Sequence, residues 1–174
     1  MTEKTLTAHV TYLEMRARPF IHVPRPLAPG LALMRAEAMP VAFYRYLYDE
    51  VGRPYHWYLR RRLDDATLAA IIHAPTTQID VLYVGGCPAG YFELDSSGLP
   101  DKVALAYFGL CRDYLGRGLG KWLLSAAIAA AWEHGPQRVT VNTNTLDHPA
   151  ALPLYQKLGF EPVGTATERI PVVE

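Results

Sequence analysis

Cysteine is scarce: Cys87 and Cys111 are the two in 174 residues, and their spacing is not that of a metal site. Neither a disulfide framework nor a bound metal is indicated, and two reduced, buried thiols are the expectation. An excess of charge of either sign is missing as well. Seventeen basic and seventeen acidic side chains give a formal net charge of zero, which argues against a strongly basic surface for nucleic acid or anionic membrane. No apolar run has the length of a membrane span, since the longest candidate, Trp122 to Trp132, is short and interrupted by Ser125. The opening Met-Thr-Glu-Lys-Thr lacks the charged-then-apolar order of a secretory signal, so a cytoplasmic location is expected. Repeats, low-complexity tracts and linkers are also lacking. Half the residues are hydrophobic and a fifth are charged, as in an ordinary globular protein, and the length suits one domain over residues 1–174.

What is present reads as alternating β and α material. Val10 to Met15 is a β-rich first strand, and the prolines at 19, 24, 26 and 29 make Arg18 to Gly30 an extended loop. Leu31 to Arg35 reads as a second strand. From Pro40 the period changes, with Val41, Tyr44, Tyr48 and Val51 on one helical face and Gly52 just past its end. Asp64 can cap a second helix reaching His73, whose apolar face is Leu68, Ile71 and Ile72. Strands Ile79–Val84 and Ala89–Leu94 flank a Gly85-Gly86 hairpin turn. The strand Val103 to Leu110 is almost wholly apolar, so it is expected to be buried on both faces near the centre of a sheet. A helix opening at Gly116–Lys121 runs to Glu133, with Leu119, Trp122, Leu123, Ala126, Ala127 and Ala130 at helical spacing and Gly135-Pro136 beyond it. A strand at Arg138–Asn142, a short helix ending at Leu158-Gly159, and strand material at Phe160–Val163 and Thr167–Val172 complete an α+β chain.

Three glycines in five residues, Gly116-Arg117-Gly118-Leu119-Gly120, lie between an apolar strand and a helix start. Glycine allows close backbone approach and left-handed dihedrals, and a helix N-terminus offers unpaired N–H groups and a positive dipole end. Together they suit an anion such as a pyrophosphate, with Arg117 and Lys121 adding charge. A ligand-free turn and a dinucleotide fold are the rival readings. The latter usually carries its glycines after the first strand of a parallel series. A Walker loop is excluded because the Gly-x-x-x-x-Gly-Lys-Ser/Thr pattern is missing.

This loop is followed by Ala151-Leu152-Pro153-Leu154-Tyr155-Gln156-Lys157-Leu158-Gly159-Phe160. The pair, in this order and separation, resembles the GCN5-related N-acetyltransferase (GNAT) family, over residues 79 to 163. That resemblance implies the GNAT fold, a mixed, mostly antiparallel central sheet flanked by helices. It also implies acetyl-CoA as cosubstrate, with no metal. Two positions depart from the family pattern: Leu115 stands where Gln or Arg is usual, and His148 stands where many members have an asparagine, whose bonding Asn142 or Asn144 would take over. Pro153 should remove one hydrogen bond if the helix begins near Pro149.

By the same resemblance, Phe108, Gly109 and Leu110 would pair with the pantetheine arm like an added strand, and the Leu110 N–H would polarise the thioester carbonyl. Leu115 to Lys121 (Leu115, Gly116, Arg117, Gly118, Leu119, Gly120 and Lys121) would hold the pyrophosphate, with Asn144 nearby. Tyr155 matches the tyrosine that protonates the departing thiolate. A phenol near ~10 stays protonated beside a thiol near ~8.5. Glu93, in Gly90-Tyr91-Phe92-Glu93-Leu94, is the candidate base, directly or through water. Tyr44, Tyr46 and Tyr91, with Tyr55, Trp57 and Tyr58, fall where the acceptor pocket would be, while Arg60-Arg61-Arg62 reads as a solvated face. The expected substrate is a small-molecule primary amine. A protein or peptide N-terminus or lysine is the alternative acceptor, and a non-catalytic acyl-CoA-binding module is the alternative class. The resemblance is also compatible with a homodimer.

Overall fold

A computed structural model of the chain describes residues 4–172. Its centre is a seven-stranded sheet, formed by β1 (Thr5–Met15), β2 (Ala32–Arg35), β3 (Thr77–Val84), β4 (Cys87–Asp95), β5 (Lys102–Leu110), β6 (Arg138–Asn144) and β7 (Glu161–Pro171). The spatial order is β2-β3-β4-β5-β6-β1-β7, and every neighbouring pair is antiparallel except β5 with β6. Helices α1 (Val41–Gly52) and α2 (Asp65–Ile72) cover one face, and α3 (Leu119–Glu133) and α4 (Ala151–Lys157) cover the other. This is the mixed, mostly antiparallel sheet flanked by helices that the resemblance implies. Strand pairing extends β1 back to Thr5 and joins the two expected C-terminal strands into one, with a bulge opposite Tyr12 and Leu13.

The two faces carry separate cores. Tyr44, Leu47, Tyr48 and Val51 of α1 and Leu68 and Ile72 of α2 pack on Ile79, Val81 and Tyr91. On the opposite face Leu123, Leu124, Ala127, Ile128 and Ala131 of α3 pack on Phe92, Leu94, Val103, Leu105 and Val139. The buried stripe of α3 is therefore rotated from the expected one: Leu124, Ile128 and Ala131 go inside, whereas Trp122, Ala126 and Ala130 stay half-buried. The Asp64 carboxylate caps α2 by accepting the Thr67 N–H at 2.7 Å. Gly85 and Gly86 turn the β3–β4 hairpin at φ 58° and 81°.

Pro153 disrupts nothing. The helix α4 begins at Ala151, so Pro153 is its third residue, where an N–H would have no intrahelical partner. The first helical bond runs from the Leu154 N–H to the Ala150 carbonyl at 3.1 Å. At the other end Gly159 adopts φ 106°, and the Phe160 N–H reaches back to the Tyr155 carbonyl at 3.0 Å.

Candidate active site

The parallel strands β5 and β6 stay paired only from Lys102↔Arg138 to Ala104↔Thr140 and then splay apart. Beyond Ala104 one edge of β5 lacks a neighbour, and a cavity of about 1100 Å³ opens between the strands. This overturns the expectation of a strand buried on both faces: Tyr107, Phe108 and Gly109 are only partly covered because they line that opening. Backbone direction follows from pairing. The Cys111 N–H donates to the Ala89 carbonyl at 2.9 Å, so Cys111 faces β4, and alternation turns the amides of Leu110 and Phe108 toward the gap. Glycine keeps this part of β5 close to its neighbours, since a Cβ on Gly109 would come within 2.4 Å of Val51 Cγ1.

Past Leu110 the chain makes a 3-10 turn at Arg112–Tyr114 and enters the glycine loop. Gly116 and Gly118 have φ of 72° and 75°, and Gly118 caps α3, so the N–H groups of its first turn point at the cavity mouth. A Cβ at either glycine would meet nothing within 4 Å. Their requirement is therefore conformational, not steric. Leu115, Gly116, Gly118, Leu119 and Gly120 all line the cavity, and Arg117 stacks over Tyr114 at 5.0 Å. The open strand edge offers unpaired backbone groups to an extended ligand, and the helix N-terminus beside it suits an anion such as a pyrophosphate. Lys121 is exposed in the same first turn.

Tyr155 stands on the opposite wall, its ring edge-on to Phe108 at 6.2 Å and to Phe160 at 5.8 Å. Among the described residues none hydrogen-bonds its hydroxyl, and the residue lines the cavity. Burial, and to a lesser extent the Asp147 carboxylate, push this phenol well above its ordinary value, so it holds its proton throughout the physiological range. Asn144 is nearby, but its side-chain oxygen accepts the Leu146 N–H at 2.8 Å, which leaves its amide nitrogen for a ligand.

Glu93 is placed differently from a solvated base. It is 1% exposed, and it does not line the cavity. The Tyr44 hydroxyl donates to one carboxylate oxygen at 2.5 Å, and the Arg60 guanidinium donates to the other at 2.7 Å. Burial raises the carboxyl above its ordinary value while Arg60 and the Tyr44 bond oppose that shift. Arg60 itself lies over the Tyr107 ring at 5.3 Å. The arginine run is thus not a solvated face: Arg60 is held by Glu93, and Arg61 donates to Asp49 at 2.6 Å. A depression of about 280 Å³ beyond Arg60 is lined by these paired side chains and adjoins no open strand edge.

Of the three tyrosines expected in an acceptor pocket, none borders the large cavity. Tyr44 and Tyr91 are fully enclosed between α1 and the sheet, and Tyr46 is 48% exposed on the outer side of α1, stacked on Phe43. Helical phase explains this, because Tyr44 and Tyr48 share the inward stripe and Tyr46 lies off it. The aromatic wall is instead Tyr48, Tyr55, Trp57, Tyr58 and Tyr107. Tyr12, Glu14, Thr140 and Asn142 form a floor on β1 and β6, where no helix covers the sheet. Trp57, part of this wall, donates its indole N–H to Asp147 at 3.4 Å. A charged partner for Glu93 was foreseeable, since a lone acid in an apolar strand needs one. Nothing local in the sequence points to Tyr12 or Glu14, which arrive from the N-terminal strand.

The sequence model described as the Acetyltransferase (GNAT) family matches residues 38–160, more than half of the chain. Solved structures share the fold at low identity. A GNAT-family acetyltransferase from Novosphingobium aromaticivorans is 17% identical with a TM-score of 0.65, covering 94% of this chain and 64% of its own. A GCN5-related N-acetyltransferase from Kribbella flavida is 15% identical with a TM-score of 0.63, over 94% and 58%. The ribosomal-protein-S18-alanine N-acetyltransferase of Escherichia coli is 16% identical with a TM-score of 0.62, over 83% and 95%. The chain thus spans about three fifths of the length of the first two. No curated protein sequence matches.

Proposed function

The chain belongs to the GNAT acetyltransferase family, and from that premise we propose that it transfers an acetyl group from acetyl-CoA to the primary amine of a small molecule by direct attack. The observation that carries the reading is the unpaired edge of β5 at Phe108 and Leu110, which leads into a glycine-capped helix start. When bound, acetyl-CoA supplies the thioester at which the amine nitrogen forms its new C–N bond as the C–S bond breaks.

The chain's own groups have separable tasks. The backbone of Phe108 and Leu110 orients the arm, and the Leu110 N–H donates to the carbonyl oxygen as charge builds there. The first-turn N–H groups of α3, with Arg117 and Lys121, neutralise the pyrophosphate. Tyr155 donates a hydrogen bond to the departing sulfur. With its phenol held above the ordinary range, it stabilises the thiolate chiefly as a donor, and the final proton comes from it or from solvent. The enclosure of Glu93 behind Arg60 and Tyr107 favours a positioning role for that carboxylate over direct proton abstraction. The ammonium of the acceptor loses one proton to water in the open cavity before it attacks, and the nitrogen loses a second as the C–S bond breaks.

Two measurements test this reading. Acetyl-CoA should raise the melting temperature while NAD and ATP leave it unchanged, and free thiol should be released when primary amines are supplied. The absence of any shift with acetyl-CoA overturns it.

A further inference from the structure

Three polar and apolar features around the acceptor end of the cavity point the same way. First, Trp57 is built into the wall rather than resting on it. A Cβ on Gly52 would fall 2.3 Å from the indole ring, so glycine at the end of α1 is what admits the ring there. The preceding His56 holds a left-handed φ of 59°, unusual for a non-glycine residue, and the Tyr48 and Tyr107 rings flank the indole at 5.3 and 5.0 Å. With its N–H on Asp147, the ring has little freedom to turn.

Second, several large apolar side chains that face solvent border this cavity. Tyr12 (37% exposed), Leu59 (58%) and Val163 (56%) all border the cavity, from three separate elements. Exposed apolar groups on a concave surface are the usual mark of an apolar ligand.

Third, much of the bordering charge is already committed to partners within the protein. Glu14 accepts from Arg138 at 2.8 Å, and Arg60 is held by Glu93 at 2.7 Å. Both Asp147 oxygens are occupied, one by Trp57 and the other by the Thr143 hydroxyl and the Asn144 N–H. Lys102 and Glu168 add one charge of each sign. Among the described residues Asp147, already held by neutral donors, and the exposed Glu168 are the bordering carboxylates without an ion pair, so a polycationic acceptor meets few free carboxylates, and an acidic acceptor meets Lys102 but no uncommitted guanidinium.

We infer that the acceptor is a monoamine carried on a flat apolar or aromatic body, and that Trp57 is the residue selecting it. This rests on the acetyl-transfer reading above. The amine reaches toward Leu110 and Tyr155 while the body lies between the Trp57 indole and the β1–β6 floor at Tyr12.

The test supplies acetyl-CoA with 2-phenylethylamine, tryptamine, spermidine, kanamycin and a tripeptide bearing a free N-terminus, and follows thiol release. The two arylalkylamines should show the highest kcat/KM, by tenfold or more. Trp57→Ala should raise their KM by roughly tenfold with kcat within a few-fold of wild type and the acetyl-CoA Kd unchanged. Tyr12→Ala, on the exposed floor, should raise the same KM by a smaller factor, which keeps the test valid if Trp57→Ala does not fold. Higher kcat/KM for spermidine, kanamycin or the peptide, no transfer to either arylalkylamine, or an unchanged KM in both variants overturns the inference. Acetyl-CoA that fails to raise the wild-type melting temperature would instead overturn the acetyl-transfer reading itself.

Discussion

The guanidinium of Arg60 and the carboxylate of Glu93 meet at 2.7 Å beneath the aromatic wall, with side-chain exposures of 16% and 2%. The pair ties the 3-10 segment Arg60–Arg62 to the middle of β4, and so fixes the wall that contains Trp57 to the sheet that contains Leu110.

Breaking that pair from one side should be costly. Glu93→Gln leaves Arg60 largely desolvated without a counter-charge, and a loss of about 3 kcal/mol in urea denaturation is expected. The paired replacement Glu93→Leu with Arg60→Met should recover most of the loss, because neither charge is then stranded. A Glu93→Gln protein within experimental error of wild type would contradict the pairing.

Tyr155→Phe removes the hydroxyl and keeps the ring against Phe108 and Phe160. Turnover should fall on the order of 10²-fold, with acetyl-CoA affinity nearly intact. Because the phenol lies well above its ordinary value, wild-type kcat should show no falling limb up to pH ~10. A limb near neutrality that disappears in Tyr155→Phe would reverse the assignment.

The glycine loop should discriminate between two substitutions of the same size. Gly118→Ala forces a side chain into φ 75° at the cap of α3, at a cost of roughly 1 kcal/mol. It should weaken acetyl-CoA binding in calorimetry. Gly120→Ala places its Cβ an ordinary 3.7 Å from Leu110 Cδ1 and should bind as wild type.

Acid should weaken the convergence point of the splayed strands. Arg138 donates to both Glu14 and Asp101, and its hydrogen bonds hold both carboxyls below their ordinary values of 4.5 and 3.8. Groups depressed in the folded state contribute stability above their unfolded values and lose it as pH falls through the folded ones. The melting temperature should therefore drop as pH falls below about 4.5, and Arg138→Gln should flatten that dependence.

Much of this was legible from local pattern. The alternation of β-rich and helical segments, the Asp64 cap, the Gly85-Gly86 turn and the glycine loop each depend on a few neighbouring residues, and each occurs where those residues predict. What escaped depends on distant contacts. Apolar composition cannot distinguish a strand covered by protein from one awaiting a ligand, so by composition Tyr107 to Gly109 read as buried core, and the resemblance alone gave Phe108, Gly109 and Leu110 a cofactor-pairing role. Tyr44 and Tyr91 read as pocket residues because aromatic density marks a pocket and a core alike, and only their phase against the sheet separates the two. Arg60 read as solvated because the acid that holds it lies thirty-three positions away.

The position of β1 between β6 and β7 has a kinetic consequence. Val10 pairs with Asn144 on one side and Ala166 on the other, so β1 acquires its partners only across 134 and 156 positions of chain. Such long-range closure slows folding. Until it occurs, β1 has both edges bare. The cavity floor carried by Tyr12 and Glu14 therefore depends wholly on long-range pairing, whereas the glycine loop follows directly on β5 and opens α3.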